Sequence, residues 1–157
     1  MLTIIGCGNS NRCDDGVGVF VAQSLQTYLQ TRSHSDVKVF DAGTGGMDVM
    51  FQARGARKLI IIDAAKTGAE AGAIFDVPGE QLAADHQPVF SLHDFRWDHA
   101  LAAGRKIFRE DFPTDVSVCL IEAQRLDLGL ALSDPVRKSA DKVIARLQRV
   151  IDEYRTT

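Results

Sequence analysis

Met1-Leu2-Thr3-Ile4-Ile5-Gly6-Cys7-Gly8-Asn9-Ser10-Asn11-Arg12-Cys13-Asp14-Asp15-Gly16 opens the chain, and the remainder is organised around it. Leu2 to Ile5 is a short apolar run rich in β-branched residues, which predicts a buried strand. Gly6 and Gly8 end it in a tight turn where side chains would meet a close neighbour. A dinucleotide fingerprint would need a third glycine at position 11, where Asn11 stands instead. Asp14 and Asp15 follow, just before an amphipathic run that begins at Val17. A helix N-terminus favours anions, but two like charges about 4 Å apart in a partly wet site repel by roughly 1–4 kcal/mol. This turn therefore suits a cation better than a pyrophosphate. One of the pair is expected to cap the helix, and the other to be solvated or to do chemistry.

At 157 residues the chain has the length of one domain, spanning 1–157, able to bury about two thirds of its unfolded surface. A net charge of −3 with no basic tract argues against nucleic acid or an anionic membrane as partner. No apolar segment approaches the roughly 20 residues of a membrane span. The N-terminus enters a strand directly, without the basic and apolar regions of a signal peptide, so a cytoplasmic location is expected. Cys7, Cys13 and Cys119 are an odd set without metal-type spacing, which fits reduced thiols. Cys7 and Cys13 flank one turn, where a metal or redox role stays open, and Cys119 lies in an apolar run and reads as core.

Beyond the first strand, Val17, Phe20, Val21, Leu25, Tyr28 and Leu29 recur at helical spacing, predicting a helix over 16–30. A polar loop over 31–36 carries His34, expected to be exposed. A second strand over 37–40 ends at Asp41, followed by the small-residue loop Ala42-Gly43-Thr44-Gly45-Gly46 and a short helix with Met47, Val49, Met50 and Phe51. Lys58-Leu59-Ile60-Ile61-Ile62-Asp63 is the strongest strand, and its unbroken apolar run implies cover on both faces. A fourth strand is expected over 72–77, stopped by Pro78-Gly79. The link from Asp63 is too short for a helical crossover, so this strand is expected to run antiparallel. Residues 79–90 read as irregular. Ser91 is a candidate N-cap for a helix carrying His93, Phe95, Trp97, Leu101 and Ile107. A fifth strand over 116–121 precedes Ser133-Asp134-Pro135, a helix start with proline at its first position. Val136, Ala140, Val143, Ile144, Leu147, Val150, Ile151 and Tyr154 then give a long apolar stripe. The order β-α-β-α-β-β-α-β-α makes an α/β, three-layer α/β/α sandwich with a five-stranded, mostly parallel (mixed) sheet.

In open α/β sheets ligands bind beyond the carboxyl ends of the strands, where the strand order reverses. Here that lies between the first and third strands. Asp15 follows the first and Asp63 ends the third, so both should border the crevice, with His93 as the third member. Two carboxylates and an imidazole with open positions suit a transition metal such as nickel or zinc better than calcium or magnesium. Each has a plainer alternative: Asp63 bonding loop N–H groups, and His93 capping or packing. His99 should point elsewhere, and His86 lies in a loop. Nothing resembles a serine nucleophile elbow.

Taken together these residues resemble the hydrogenase maturation endopeptidases, which process the large subunit of nickel-iron hydrogenases. The matching stretches are Gly6-Cys7-Gly8-Asn9, Asp14-Asp15-Gly16-x-Gly18, Asp41-Ala42-Gly43-Thr44-x-Gly46-Met47, Ile62-Asp63-Ala64, Ser91-x-His93 and Leu128-Gly129-Leu130-x-Leu132-Ser133. The resemblance implies a phosphorylase/hydrolase-like α/β/α sandwich whose fourth strand is antiparallel. It also implies an endopeptidase that trims a C-terminal extension from the large-subunit precursor after nickel insertion. The family's metal-contacting acids and histidine fall on Asp15, Asp63 and His93. They meet nickel already held by the substrate's cysteines, so the free enzyme is expected to be metal-free. The loop Gly43, Thr44, Gly45 and Gly46 is a candidate for docking the substrate backbone, or simply a turn needing positive φ. Leu92 where many relatives have proline, the stretch Asp94-Phe95-Arg96-Trp97-Asp98, and Glu122-Ala123 after the fifth strand all depart from the family pattern. Arg96 and Trp97 are candidates for specificity contacts, or Trp97 for a half-buried anchor of its helix.

Three other readings compete: a non-enzymatic nickel carrier or chaperone, a nucleotide-binding oxidoreductase using Asp41 against a ribose, and a catalytically dead relative. A carrier would bind nickel tightly and alone, whereas the protease needs it presented by a protein.

Overall fold

The computed structural model describes residues 1–82 and 96–154. Its elements run β1 (Leu2–Cys7), α1 (Val17–Gln30), β2 (Val37–Gly43), α2 (Gly46–Ala53), β3 (Lys58–Ala65), β4 (Ile74–Pro78), α3 (Trp97–Phe108), β5 (Asp115–Glu122) and α4 (Asp134–Tyr154). The order of strands and helices is the one expected, and the strands form one sheet, β2-β1-β3-β5-β4. β1 pairs in parallel with β2 and β3, and β3 with β5. β4 runs antiparallel along β5 at the edge, as its short link to β3 demands.

Alternation along the central strands splits the core into two layers. Leu2 and Ile4 of β1, with Ile60 and Ile62 of β3, face α1 and α4 through Val17, Val21, Leu25, Val136, Val143, Leu147 and Ile151. Ile5 and Cys7, with Leu59 and Ile61, face α2 and α3 through Val49, Met50, Ala53, Trp97 and Leu101. Each such aliphatic side chain contributes about 1.5–3 kcal/mol when fully buried. Because α1 and α2, which follow β1 and β2, fall on opposite faces, the chain leaves a crevice at the carboxyl ends of β1 and β3. Two glycines let α1 pack down on that edge: a Cβ on Gly6 would overlap the Gly18 carbonyl, and one on Gly18 would overlap the carbonyls of Ile62 and Cys7.

Several local expectations are corrected. α1 starts at Val17 after a 3-10 turn over Cys13–Gly16, because Cys13 takes a positive φ of 46° that no α-helix accommodates. β2 extends to Gly43 rather than stopping near Phe40. β4 covers Ile74–Pro78, two residues later than expected at its start, since Gly72 adopts φ +85° and its N–H donates to the Glu122 carbonyl. α3 runs from Trp97 to Phe108, and the N-cap expected at Ser91 lies outside the described residues. Ser91, His93 and Phe95 lie outside the described residues, as do His86, Leu92 and Asp94. Ile107 is exposed rather than part of an apolar face. His34, expected in solvent, has a side chain only 1% accessible, its Nε2 3.8 Å from Asp152. Cys119 is core as expected, and burial pushes its thiol up to about 11.

Candidate active site

A cavity of about 240 Å³ opens at the carboxyl ends of β1 and β3. Cys7, Gly8, Asp15, Asp63, Arg96, Trp97 and the loop from Gly43 to Gly46 line it. Asp15 and Asp63, singled out from sequence on different elements, thus meet in one pocket with the glycine loop. His93 lies outside the described residues. Among the described residues no group of three or more His, Cys, Asp or Glu side chains is arranged to hold a metal ion.

Asp63 closes β3 and is 3% exposed. Its Oδ1 accepts from the Ala64 N–H at 2.8 Å, and its Oδ2 from the Trp97 indole N–H at 2.8 Å. The exposed Arg96 guanidinium stands 3.4 Å from the same Oδ2. Desolvation dominates this balance and pushes the Asp63 carboxyl up to about 6; the Trp97 and Ala64 bonds and the Arg96 charge oppose it, and the Asp15 charge adds to it. Two carboxylates sharing a small pocket with one incomplete counterion make a site that favours an incoming cation.

Asp15 leaves the 3-10 turn toward this pocket, and its Oδ2 accepts from the Asn9 N–H at 2.9 Å. Gly8 sits directly beneath, at φ +133°, and a Cβ there would overlap the Asp15 carbonyl oxygen. Gly43 has φ +52° and its carbonyl accepts from the Gly8 N–H at 2.8 Å, so the glycine loop is tied to the Asp15 turn. Gly45 has φ −81°, which leaves one residue of that loop, Gly43, needing the left-handed region. Asp41 is occupied in shaping the same loop, accepting from the Gly43 N–H at 2.9 Å and from Gln23 at 3.2 Å.

Neither aspartate of the pair caps α1, contrary to expectation: its N-cap is Gly16. Successive residues of a 3-10 turn point about 120° apart, so Asp14 faces away from Asp15. Its carboxylate is fully buried and reaches across to the β5–α4 loop. It accepts from the N–H groups of Gln124 and Arg125 at 2.9 Å each, and from the Ser133 N–H at 2.7 Å and hydroxyl at 2.8 Å. Burial alone would raise its pKa, but these bonds bring it below the ordinary carboxylate value. Glu122, buried at the end of β5, does likewise for the β3–β4 link, accepting from Thr67 N–H at 2.7 Å, Gly68 N–H at 3.0 Å and the Thr67 hydroxyl at 3.0 Å.

Sequence reading missed the indole bond to Asp63. It offered Trp97 as a specificity contact or a half-buried helix anchor, whereas the side chain is 9% exposed and lines the site. Cys7 also lines the pocket, and burial, followed by the Asp63 charge, holds its thiol protonated. That argues against a nucleophile or ligand role for Cys7.

Comparison with known proteins gives the family and the fold. The family model for the hydrogenase maturation protease (HycI) matches residues 19–150. The delta subunit of the coenzyme F420 hydrogenase of Methanothermobacter thermautotrophicus is 37% identical over 81 residues, 48% of this chain and 51% of that protein. The chain therefore spans about half the length of this relative. In fold, the chain is similar to the hydrogenase maturating endopeptidase HybD from E. coli (TM-score 0.76, 21% identity, 98% of this chain and 93% of that one). It is also similar to the [NiFe] hydrogenase maturation protease HycI from Thermococcus kodakarensis KOD1 (TM-score 0.74, 17% identity, 96% and 92%). With the family model covering most of its length, this chain belongs to the hydrogenase maturation protease family.

Proposed function

We propose that this protein is an endopeptidase that removes the C-terminal extension from the nickel-loaded precursor of a [NiFe]-hydrogenase large subunit. The observation that carries the reading is the buried carboxylate of Asp63 held at the floor of a pocket that Asp15 also enters. Burying such a charge with an exposed arginine as its one counter-charge among the described residues is costly unless a cation is to be met there.

In this reading Asp15, Asp63 and His93 contact nickel that the substrate's own cysteines already hold, and the free enzyme carries none. Two described ligands and one further imidazole leave positions for those cysteines, which accords with a metal that arrives with the substrate. The chemistry nickel supplies when bound is that of a Lewis acid, polarising the scissile carbonyl or lowering the pKa of a water. The loop from Gly43 to Gly46 forms the opposite wall and is suited to a closely approaching peptide backbone. A precursor without nickel gives the acids nothing to bind, so recognition doubles as proofreading. Residence in the cytoplasm, where such precursors mature, belongs to the same proposal. Among the described residues no helix is long and apolar enough to cross a membrane.

The test is cleavage of a large-subunit precursor, with and without nickel, by the wild type and by Asp15→Ala, Asp63→Ala and His93→Ala. Trimming of the nickel-loaded precursor alone, lost in all three variants, is expected. Tight nickel binding by the isolated protein without trimming would establish the carrier reading instead.

A further inference from the structure

Asp63 has two donors on one oxygen, and they differ in kind. The Trp97 indole is 9% exposed, packed in the second core layer at the first turn of α3, and bonds Oδ2 at 2.8 Å. The Arg96 side chain is 64% exposed and 3.4 Å away. The indole is therefore held by packing, while the guanidinium lies largely in solvent. An indole N–H is also neutral: it orients a carboxylate without cancelling the charge a metal would need. An arginine in the same place would compete with the metal electrostatically.

Resting on the function proposed above, we infer that Trp97 is a positioning residue for Asp63, pinning Oδ2 so that Oδ1 is turned to the metal-bearing substrate. Oδ1 keeps a lone pair beyond its bond to the Ala64 N–H and lies toward Gly8, where a Cβ would stand 3.5 Å from it. That is the side from which the Asp15 turn approaches. Neighbours that orient a metal-binding side chain in this way are worth about 10–100-fold in affinity or activity.

Trp97 is the single tryptophan of the chain, so replacing tryptophan throughout with β-(3-benzothienyl)alanine changes this one side chain. The isostere carries sulfur where the N–H was and keeps the ring's shape. The expected result is a loss of about 10–100-fold in kcat/KM on the nickel-loaded precursor, with the fold retained and the melting temperature lowered by only the few degrees that one bond to a buried carboxylate is worth, and Trp97→Phe losing activity in the same range. In the unsubstituted protein the lone indole ¹⁵N–¹H resonance should shift upfield in Asp63→Ala, which removes its acceptor. Wild-type kcat/KM in the benzothienyl protein, or an indole resonance unmoved by Asp63→Ala, would overturn the inference. If the unsubstituted protein trims no precursor, the proposed function fails, and the indole resonance decides by itself whether Trp97 holds Asp63.

Discussion

Substituting the two adjacent aspartates should have opposite consequences, although sequence presents them as a matched pair. Asp14 accepts from three backbone N–H groups and one hydroxyl, all within 2.9 Å, and is fully buried. Hydrogen bonds to a charged acceptor contribute about 1.5–3 kcal/mol each, and an abandoned buried donor costs about 1–3 kcal/mol. The four share one carboxylate and do not add, so Asp14→Ala is expected to lose about 3–5 kcal/mol, as for other broken buried charge networks. Against a total stability of about 5–15 kcal/mol this leaves the variant marginal. Asp14→Asn, which turns one acceptor into a donor facing N–H groups, should lose about 1–3 kcal/mol and remain measurable. Among the described residues Asp15→Ala gives up a single bond, from Asn9; at this half-buried carboxylate water takes over the freed N–H, so the loss is about 1 kcal/mol.

Urea melts at pH 7 followed by circular dichroism would separate these values. In thermal scans Asp14→Ala should melt lower by about 6–20 °C and Asp15→Ala by about 2–4 °C. Trimming should show the reverse order: Asp15→Ala folded and inactive, Asp14→Asn active at temperatures where it is folded. The bonds that hold Asp14 below its ordinary value of 3.8 set the pH dependence. Their stabilisation is present above that value and is lost as pH falls through the lower, folded one. An Asp14→Ala protein as stable as wild type would refute the assignment of this carboxylate to holding the β5–α4 loop.

Asp63 carries the opposite sign. Its carboxyl is raised from 3.8 to about 6, so the folded state binds its proton more tightly. The resulting contribution is present below pH 3.8 and disappears as pH rises through 6, about 3 kcal/mol in all; wild type should lose that much stability relative to Asp63→Leu over the window, and the difference should stay level above it. Trimming should fall off below about pH 6, where Asp63 is protonated, and Arg96→Ala, which removes a charge that lowers this pKa, should move that limb to higher pH with little effect on melting. Gly8→Ala places a Cβ on the Asp15 carbonyl at φ +133° and should cost more than about 2 kcal/mol while displacing the Asp15 turn, which denaturant melts of the variant would measure.

The architecture was legible because its signals are local. The unbroken run from Leu59 to Ile62 requires cover on both faces, the short link after Asp63 forbids a parallel return, and Gly6 and Gly8 announce a turn with a close neighbour. From these the crevice and its bordering acids follow. What was not legible depended on side-chain direction or on distant partners. Nothing in Asp14-Asp15 says which carboxylate turns inward, since that is decided by a 3-10 turn started by Cys13 at positive φ. The partners of Asp14 lie more than 100 residues away in sequence. His34 appeared exposed because its neighbours in sequence are polar, yet its side chain is covered in the fold and approaches Asp152 of α4. The indole on Asp63 spans 34 residues, and no periodicity encodes it.

Among the buried acids at this end of the sheet, the number and kind of donors separates scaffold from chemistry. Asp14 and Glu122 are each enclosed by backbone N–H groups of the loops they brace, and both are held below their ordinary pKa values despite burial. Such carboxylates have their charge already spent on the protein, and a metal would have to break the loops to reach them. Asp63 is as thoroughly buried, but among the described residues one backbone N–H, one indole and one exposed arginine leave it under-stabilised, and desolvation wins. A carboxylate in that condition gains more from a dication than from anything the chain offers it. The same comparison explains why the adjacent Asp14 is the poorer candidate for catalysis although it is the more completely hydrogen-bonded. Under the function proposed above, the acid stays under-satisfied until the metal-bearing substrate arrives, with the exposed Arg96 and the buried Trp97 as its partners in the meantime.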